Sequence, residues 1–441
     1  MNTAVLLFTR DLRLHDHPAL RAATEQAEQV VPVFVFDDRL VSGRPGTPNR
    51  LAFLLDSLRD LGRSLRDRGS SLVVRRGDVV AEIMRLARDS NAEALFVTED
   101  VSGYAQERMR RLERACEDEG LALRAFEGVT VVPPGELTPA SGDHYRVFTP
   151  YWNAWRAAGK RDPLGAPRKL RSPTRLRSGR LPRLSDLTKG KPSDQLPPGG
   201  ESAARERLSR WLQNSSRRYT ELADDLPADA TSHLSAYLHF GCLSANEVLS
   251  RVEDRGGLED YARQLCWRDF HHQVMADRPD IPYNDYRKRG RRWKSPRSGL
   301  DAWKEGRTGY PIVDAGMRQL AREGFLPNRE RLIVASFLTK TLGIDWREGA
   351  IHFERLLVDG DLANNVGNWQ WVAGTGNDTR PNRVLNPIRQ ARRFDPDGTY
   401  VRRFVPELAG IEGRAIHEPW KLGSGEREGL DYPEPIAPPP S

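Results

Sequence analysis

The first 130 residues alternate short β-branched runs with amphipathic stretches, and few architectures accommodate that alternation. Val5-Leu6-Leu7-Phe8, Val30 to Phe36, Leu72-Val73-Val74 and Ala94 to Val97 are continuous apolar runs, as expected of strands covered on both faces. Helical patterns occupy the intervals at 18–28, 49–68, 79–90 and 104–119. The order predicts a doubly wound, Rossmann-like parallel sheet, with ligands expected beyond the strand carboxyl ends. The first strand leads into Thr9-Arg10-Asp11-Leu12-Arg13 rather than G-x-G-x-x-G, so the dinucleotide fingerprint is absent.

Residues 131–200 have a different composition, rich in proline and in Arg-Ser and Pro-Arg pairs, and end in Pro197-Pro198-Gly199-Gly200. They read as a long inter-domain connection over a surface, with the basic run Arg168 to Arg183 as a solvated strip. From 201 onward the periodicity is helical, at 201–223, 244–253, 258–277, 311–324, 328–342 and 347–358. The expected fold class is therefore α/β plus all-α. An α/β domain spans 1–130, a linker 131–200 and a helical domain 201–441, which closes in Pro438-Pro439-Pro440-Ser441 with no long tail.

No apolar run approaches the roughly 18 residues of a spanning helix, which excludes a membrane-spanning chain. The N-terminus carries no basic n-region, and three cysteines, at 116, 242 and 266, are too few for a disulfide framework. Both features point to the cytoplasm. The net charge is +7, and only nine of the 68 cationic residues are lysine. Arginine forks onto phosphates, so this bias favours a nucleic-acid partner, although a GC-rich coding sequence would produce it too. Seven of the ten tryptophans lie between 267 and 420.

Motifs gather in the helical half. Thr231-Ser232-His233-Leu234-Ser235 precedes an apolar stretch, where hydroxyls would cap a helix and cradle an anion. Gln264, Trp267 and Arg268 project within one turn of each other, joining an amide, an indole face and a guanidinium. Beyond them lie Thr308-Gly309-Tyr310-Pro311, Asn328-Arg329-Glu330-Arg331 and Asp359-Gly360-Asp361, then Asn364-Asn365 and Asn368-Trp369-Gln370-Trp371. His271-His272 beside Asp269 is not a metal site, because adjacent helical side chains diverge and no further ligands complete a shell. The hydrolase and NTPase motifs are absent.

Through Trp267-Arg268-Asp269-Phe270, Thr308-Gly309-Tyr310-Pro311 and Asn368-Trp369-Gln370-Trp371, the chain resembles the photolyase/cryptochrome family. Within it the chain is most similar to bacterial class I cyclobutane pyrimidine dimer photolyases. The resemblance runs from Phe8-Thr9-Arg10-Asp11 to His417-Glu418-Pro419-Trp420. It implies light-driven DNA repair in which reduced FAD passes an electron to a flipped-out dimer. UV-damaged DNA is then the partner, with nucleoid association, and a monomer with no obligate protein partner is expected.

The resemblance also implies roles. Tyr219, Thr231, Ser232, Leu234, Ser235 and Arg268 match residues holding the FAD phosphates and ribityl chain. Arg331 and Asp359 match an ion pair packed on the isoalloxazine, Asp361 a further flavin contact, and Asn365 the amide beside flavin N5. Gln264, Trp267, Asn328 and Trp371 match the lesion cavity; Lys294, Arg329 and Arg383 are expected on DNA phosphates. Trp369, Trp346 and Trp293, separated by 23 and 53 residues, match an electron-transfer triad. Core packing accounts for any one of them, but not for three at that spacing.

Some positions depart from the family pattern. Gln264 stands where many dimer enzymes carry Glu, Leu332 replaces a methionine, and Val366 replaces an amide. Gln at the first position also occurs among (6-4) photolyases, which keeps repair of that lesion as a second reading. A cryptochrome-type blue-light photoreceptor, against which Asn365 stands, is a third reading, and a light-independent FAD-binding DNA module a fourth. Pro279-Asp280 occupies the place of a Cys-Lys pair in folate-binding relatives. The expected antenna is therefore 8-hydroxy-5-deazaflavin in preference to methenyltetrahydrofolate.

Overall fold

Five parallel strands, β1 Thr3–Phe8, β2 Gln29–Asp37, β3 Val73–Gly77, β4 Ala94–Thr98 and β5 Ala122–Phe126, form one sheet in the order β3-β2-β1-β4-β5. The computed structural model describes residues 1–438 apart from 45, 174–175, 255–257, 295–296 and 378. Two residues of the basic run and the last three of the chain thus lie outside the described residues. Val5, Leu7, Val31, Val33, Leu95 and Val97 join Ile83, Met84, Leu112 and Cys116 in one core cluster. Their strand neighbours Leu6, Phe8, Phe34, Phe36 and Phe96 are buried as well. Successive strand residues point to opposite faces, so the sheet is covered on both sides, as the unbroken apolar runs require.

Helices α1 Pro18–Gln26, α2 Pro48–Arg66, α3 Val79–Ser90 and α4 Gly103–Glu119 follow the expected spans. Local chemistry sets their ends: the Asp78 carboxylate accepts from the Ala81 amide at the start of α3, and Gly120, at φ +64°, closes α4. Strand β5 was not expected. Its sequence, Ala-Leu-Arg-Ala-Phe, lacks β-branched residues and it lies half exposed at the sheet edge, so no apolar run marks it.

The described residues divide into two compact units. Met1–Pro192, Pro197–Ser216 and Ser232–Asp280 form the first; Ser193–Leu196, Arg217–Thr231 and Ile281–Ser441 form the second. The helices within 232–280, read from sequence as part of the helical domain, belong to the unit that carries the sheet. The first unit continues with α5 Phe148–Ala157, α6 Glu201–Asn214, α7 Ala245–Glu253 and α8 Glu259–Asp277. Helix α5 corrects the picture of 131–200 as a surface connection, because it buries Phe148, Tyr151, Trp152 and Trp155. Those residues recur at i, i+3, i+4 and i+7, a helical face that the proline content of the segment obscured. Asp269 of α8 holds the same stretch: its buried carboxylate accepts from the Val131 and Val132 amides and the Trp155 indole at 2.9–3.1 Å.

The second unit is built of α9 Arg297–Glu305, α10 Pro311–Glu323, α11 Asn328–Ser336, α12 Trp346–Leu356, α13 Leu362–Ala373, α14 Pro387–Phe394 and α15 Thr399–Phe404. The helix expected over 328–342 is α-helical only to Ser336 and continues as a π-type turn, Phe337–Thr341. Helices α12 and α13 pack closely because Gly349 has no side chain; a Cβ there would lie 2.1 Å from the Trp369 ring. No described helix is long and apolar enough to cross a membrane.

Candidate flavin and lesion site

In the second unit Arg331 and Asp359 pair at 2.7 Å, and the Arg331 Nε donates to the Leu326 carbonyl. The Asp359 carboxylate is almost fully buried, and its Oδ1 has no hydrogen-bond partner among the described residues. A buried carboxylate oxygen without a donor is costly, so this position suits a ligand N–H. Asp361 caps α13 by accepting from the Asn364 amide and side chain. One turn into that helix, the Asn365 Nδ2 donates to the Ala350 carbonyl at 3.0 Å. With one of its two N–H groups engaged there, Asn365 still offers its oxygen, a neutral acceptor. These donor and acceptor types fit a flavin heterocycle.

The tryptophans of this unit are graded in exposure. Trp369 and Trp346 are buried, whereas Trp293 is half-buried. Trp369 meets Phe353 edge-on at 5.0 Å and Trp303 at 6.1 Å. Trp346 donates its indole N–H to Asp285 at 2.9 Å, under the Arg347 guanidinium at 4.6 Å. Arg291 lies 4.8 Å over Trp293. Asp285 and Arg347 carry charges but stand in no recognisable motif, so nothing in the sequence marks them.

Among residues expected on DNA, Lys294, Asn328 and Arg383 are exposed, and the Arg383 guanidinium lies 5.6 Å over the half-buried Trp371 ring. Arg329 is partly committed elsewhere, paired with Asp224 at 2.5 Å and lying 4.5 Å over Phe394. Tyr219 and Thr231 are half-buried, Tyr219 at the start of the short helix Tyr219–Leu222.

The first unit carries the other expected residues. On α8, Gln264 is exposed and Trp267 half-buried. The Arg268 Nη1 donates to the Val129 carbonyl at 2.7 Å, with side-chain exposure of 11%, so much of its fork is spent on backbone. The hydroxyl cluster does not form the expected cap. Ser235–His239 is a single turn whose N-cap position is Leu234, with no side-chain cap bond. Ser232 instead hydrogen-bonds Tyr261 at 2.9 Å, Leu234 is buried and can offer only backbone, and Ser235 is exposed. Among the described residues no His, Cys, Asp or Glu group is arranged to hold a metal, and His272 Nδ1 is engaged with the Arg268 carbonyl.

At the carboxyl end of the sheet, between β1 and β4 where the strand order reverses, Arg10 pairs with both Asp100 oxygens at 3.2–3.3 Å. The Tyr104 hydroxyl donates to Asp37; burial, then that carboxylate, pushes the phenol well above its usual pKa. Arg39 and Arg108 lie over its ring, and the buried Arg108 keeps Nε and Nη2 without partners among the described residues.

The DNA photolyase family model matches residues 4–169, and that of the FAD binding domain of DNA photolyase matches 261–438. The chain is 52% identical to a deoxyribodipyrimidine photo-lyase of Streptomyces griseus, over 99% of this chain and 96% of that protein. It is 37% identical to a cryptochrome DASH of Gloeobacter violaceus, over 98% and 93% respectively. A bacterial class III photolyase from Agrobacterium tumefaciens superposes with a TM-score of 0.91 at 33% identity, covering 99% of this chain and 95% of that one. With both domain models and this whole-length similarity, the chain belongs to the photolyase/cryptochrome family, with the DNA photolyase and FAD-binding domains of its light-dependent lyases.

Proposed function

We propose that the chain is a light-driven DNA repair lyase that splits a cyclobutane pyrimidine dimer, flipped out of UV-damaged DNA, into two pyrimidines. The observation that carries this reading is the second unit's polar set: an Arg331–Asp359 pair with one buried oxygen that has no donor among the described residues, and an Asn365 amide anchored through one N–H with its oxygen to offer. Bound in its reduced form, FAD supplies the photoexcited electron that opens the dimer and takes it back afterwards. Asn365 accepts an N–H without adding charge, and Arg331 balances Asp359. Tyr219, Thr231, Ser232, Ser235, Arg268 and the Leu234 backbone hold the phosphates and ribityl chain, with Asp361 a further flavin contact.

Trp267 and Trp371 each offer an indole face to the flipped lesion, and Asn328 offers it a side-chain amide. Gln264, exposed one turn before Trp267, donates an amide N–H to a pyrimidine carbonyl as negative charge develops. Flipping costs least for a base that already stacks poorly, so selectivity begins there. Trp293, Trp346 and Trp369 carry electrons inward to restore the reduced flavin. Lys294, Arg329 and Arg383 contact phosphates, and the protein works in the cytoplasm as a monomer on the nucleoid.

An antenna belongs at the sheet's switch point, where buried Arg108 nitrogens lack acceptors and Arg10, Asp100, Asp37 and Tyr104 offer polar groups. We assign 8-hydroxy-5-deazaflavin there, and the absorption spectrum of the purified protein separates it from folate or a second flavin. The cryptochrome DASH relative keeps a photoreceptor as the second reading. Illumination of the reduced protein with oligonucleotides carrying either lesion decides between them. Splitting of the cyclobutane dimer is expected; repair of the (6-4) product alone overturns the substrate, and repair of neither supports the photoreceptor.

A further inference from the structure

Phe148, at the start of α5, is buried, and its ring stacks on Trp267 with centroids 3.6 Å apart and planes 3° apart. Phe270, fully buried, stands edge-on to both, at 5.8 Å from Phe148 and 5.6 Å from Trp267, each at 87°. The Arg263 guanidinium lies 5.2 Å over the Phe148 ring and 5.7 Å over Trp152. Since Trp267 fills one face of Phe148, the guanidinium is left the other. Near-parallel, closely overlaid rings are not what two ring quadrupoles prefer, because their negative faces oppose. A cation behind one ring draws on that density, and the edge-on Phe270 blocks lateral slip. The indole is thus covered on one face and braced at its edge while still half-exposed.

We propose that Phe148 is a positioning residue for lesion recognition, fixing the plane of Trp267 so that a flipped pyrimidine has one face of the indole to stack on. The inference rests on the lesion-binding reading of Trp267. A preset indole need not be ordered when the lesion arrives, so the lost side-chain freedom is not charged against binding. Without the Phe148 ring the indole regains rotamers, and affinity falls while chemistry on bound lesion does not.

The test uses FAD-loaded, fully reduced protein and an oligonucleotide carrying one cyclobutane dimer. Phe148→Leu should weaken lesion binding about ten-fold, within the range that a base–aromatic stack contributes. Repair of saturating lesion under fixed light and affinity for undamaged DNA should both stay near those of the parent. Phe148→Tyr, which keeps the ring, should restore lesion affinity, and adding Phe148→Leu to Trp267→Ala should cost nothing further. Phe148→Met replaces the leucine variant if that one fails to accumulate with FAD bound. Unchanged lesion affinity, an equal loss on undamaged DNA, or additive losses in the double variant each overturn the proposal. If the parent itself neither binds nor repairs the dimer, the functional reading fails instead. The stack is then judged by the tryptophan near-UV circular dichroism, which Phe148→Leu should change and Phe148→Tyr preserve.

Discussion

Trp267 in the first compact unit and Trp369 in the second are surrounded in opposite ways. In the first, Trp267 lies flat against Phe148, with Arg263 over that ring. In the second, Trp369 meets its aromatic neighbours edge-on at 74° and 79°, and arginines lie instead over Trp346, Trp293 and Trp371. A flat stack backed by a cation presents a face to a base. A nearby cation opposes removal of an electron from an indole, so leaving Trp369 among neutral rings favours its oxidation. Residue type alone does not distinguish the two uses; the neighbours do.

The largest effect expected from breaking this contrast is on the second set. Trp293→Phe should abolish photoreduction of oxidised FAD by external reductant, followed by absorbance, while repair by chemically reduced protein survives. Equal photoreduction in variant and parent would remove Trp293 from the chain. The neutrality of the inner environment can be probed through His352, edge-on to Trp303 at 5.6 Å. Burial, and then Lys304 and Arg355, lower its pKa from 6.5 to about 4. Its contribution to stability is therefore whole above pH 6.5 and lost as pH falls towards 4, because the unfolded chain takes the proton first. Asp395, raised to about 6 by burial, has the opposite slope, stabilising more as pH falls. Relative to the parent, His352→Leu should lack a loss of about 3 kcal/mol between pH 7 and pH 4, measured by denaturant unfolding. Parallel pH profiles would mean that His352 charges freely in the fold.

On the first set the expected effects are smaller. Trp267→Ala should weaken lesion binding by about 1–3 kcal/mol and leave photoreduction untouched. A matching loss of photoreduction would erase the division of labour. Gln264→Ala should lower repair yield more than FAD content, read from illuminated repair assays against flavin absorbance. The smallest effect is electrostatic: Lys294→Ala and Arg383→Ala should each reduce the salt slope of DNA binding by about 0.9. A slope unchanged in both variants would take these two residues off the phosphates.

The sequence made the sheet legible where side chains alone decide the outcome. Residues covered on both faces must be apolar throughout, so β1, β2 and β4 stood out, whereas the half-exposed edge strand β5 did not. The helical face of α5 was written at 148, 151, 152 and 155, but the surrounding prolines drew it towards a surface reading. In the site, it was the family resemblance carried by the motifs that pointed to Arg331, Asp359, Asn365 and the three tryptophans, and the structure pairs the first two. The hydroxyl cluster at 231–235 misled, because hydroxyls before an apolar stretch suggest a cap whether or not a long helix follows.

Local pattern and residue type, which depend on neighbours in the chain, determined the alternating sheet, most of the helices and the set of polar and indole side chains available for chemistry. Tertiary structure alone decided which of those side chains remain available. Arg268 is spent largely on the Val129 carbonyl, Arg329 is drawn to Asp224, and one oxygen of Asp359 is left without a donor. It also laid Phe148 flat on Trp267. Each of these depends on which distant backbone or ring occupies the space beside a side chain, and that is settled by close packing between segments far apart in the chain.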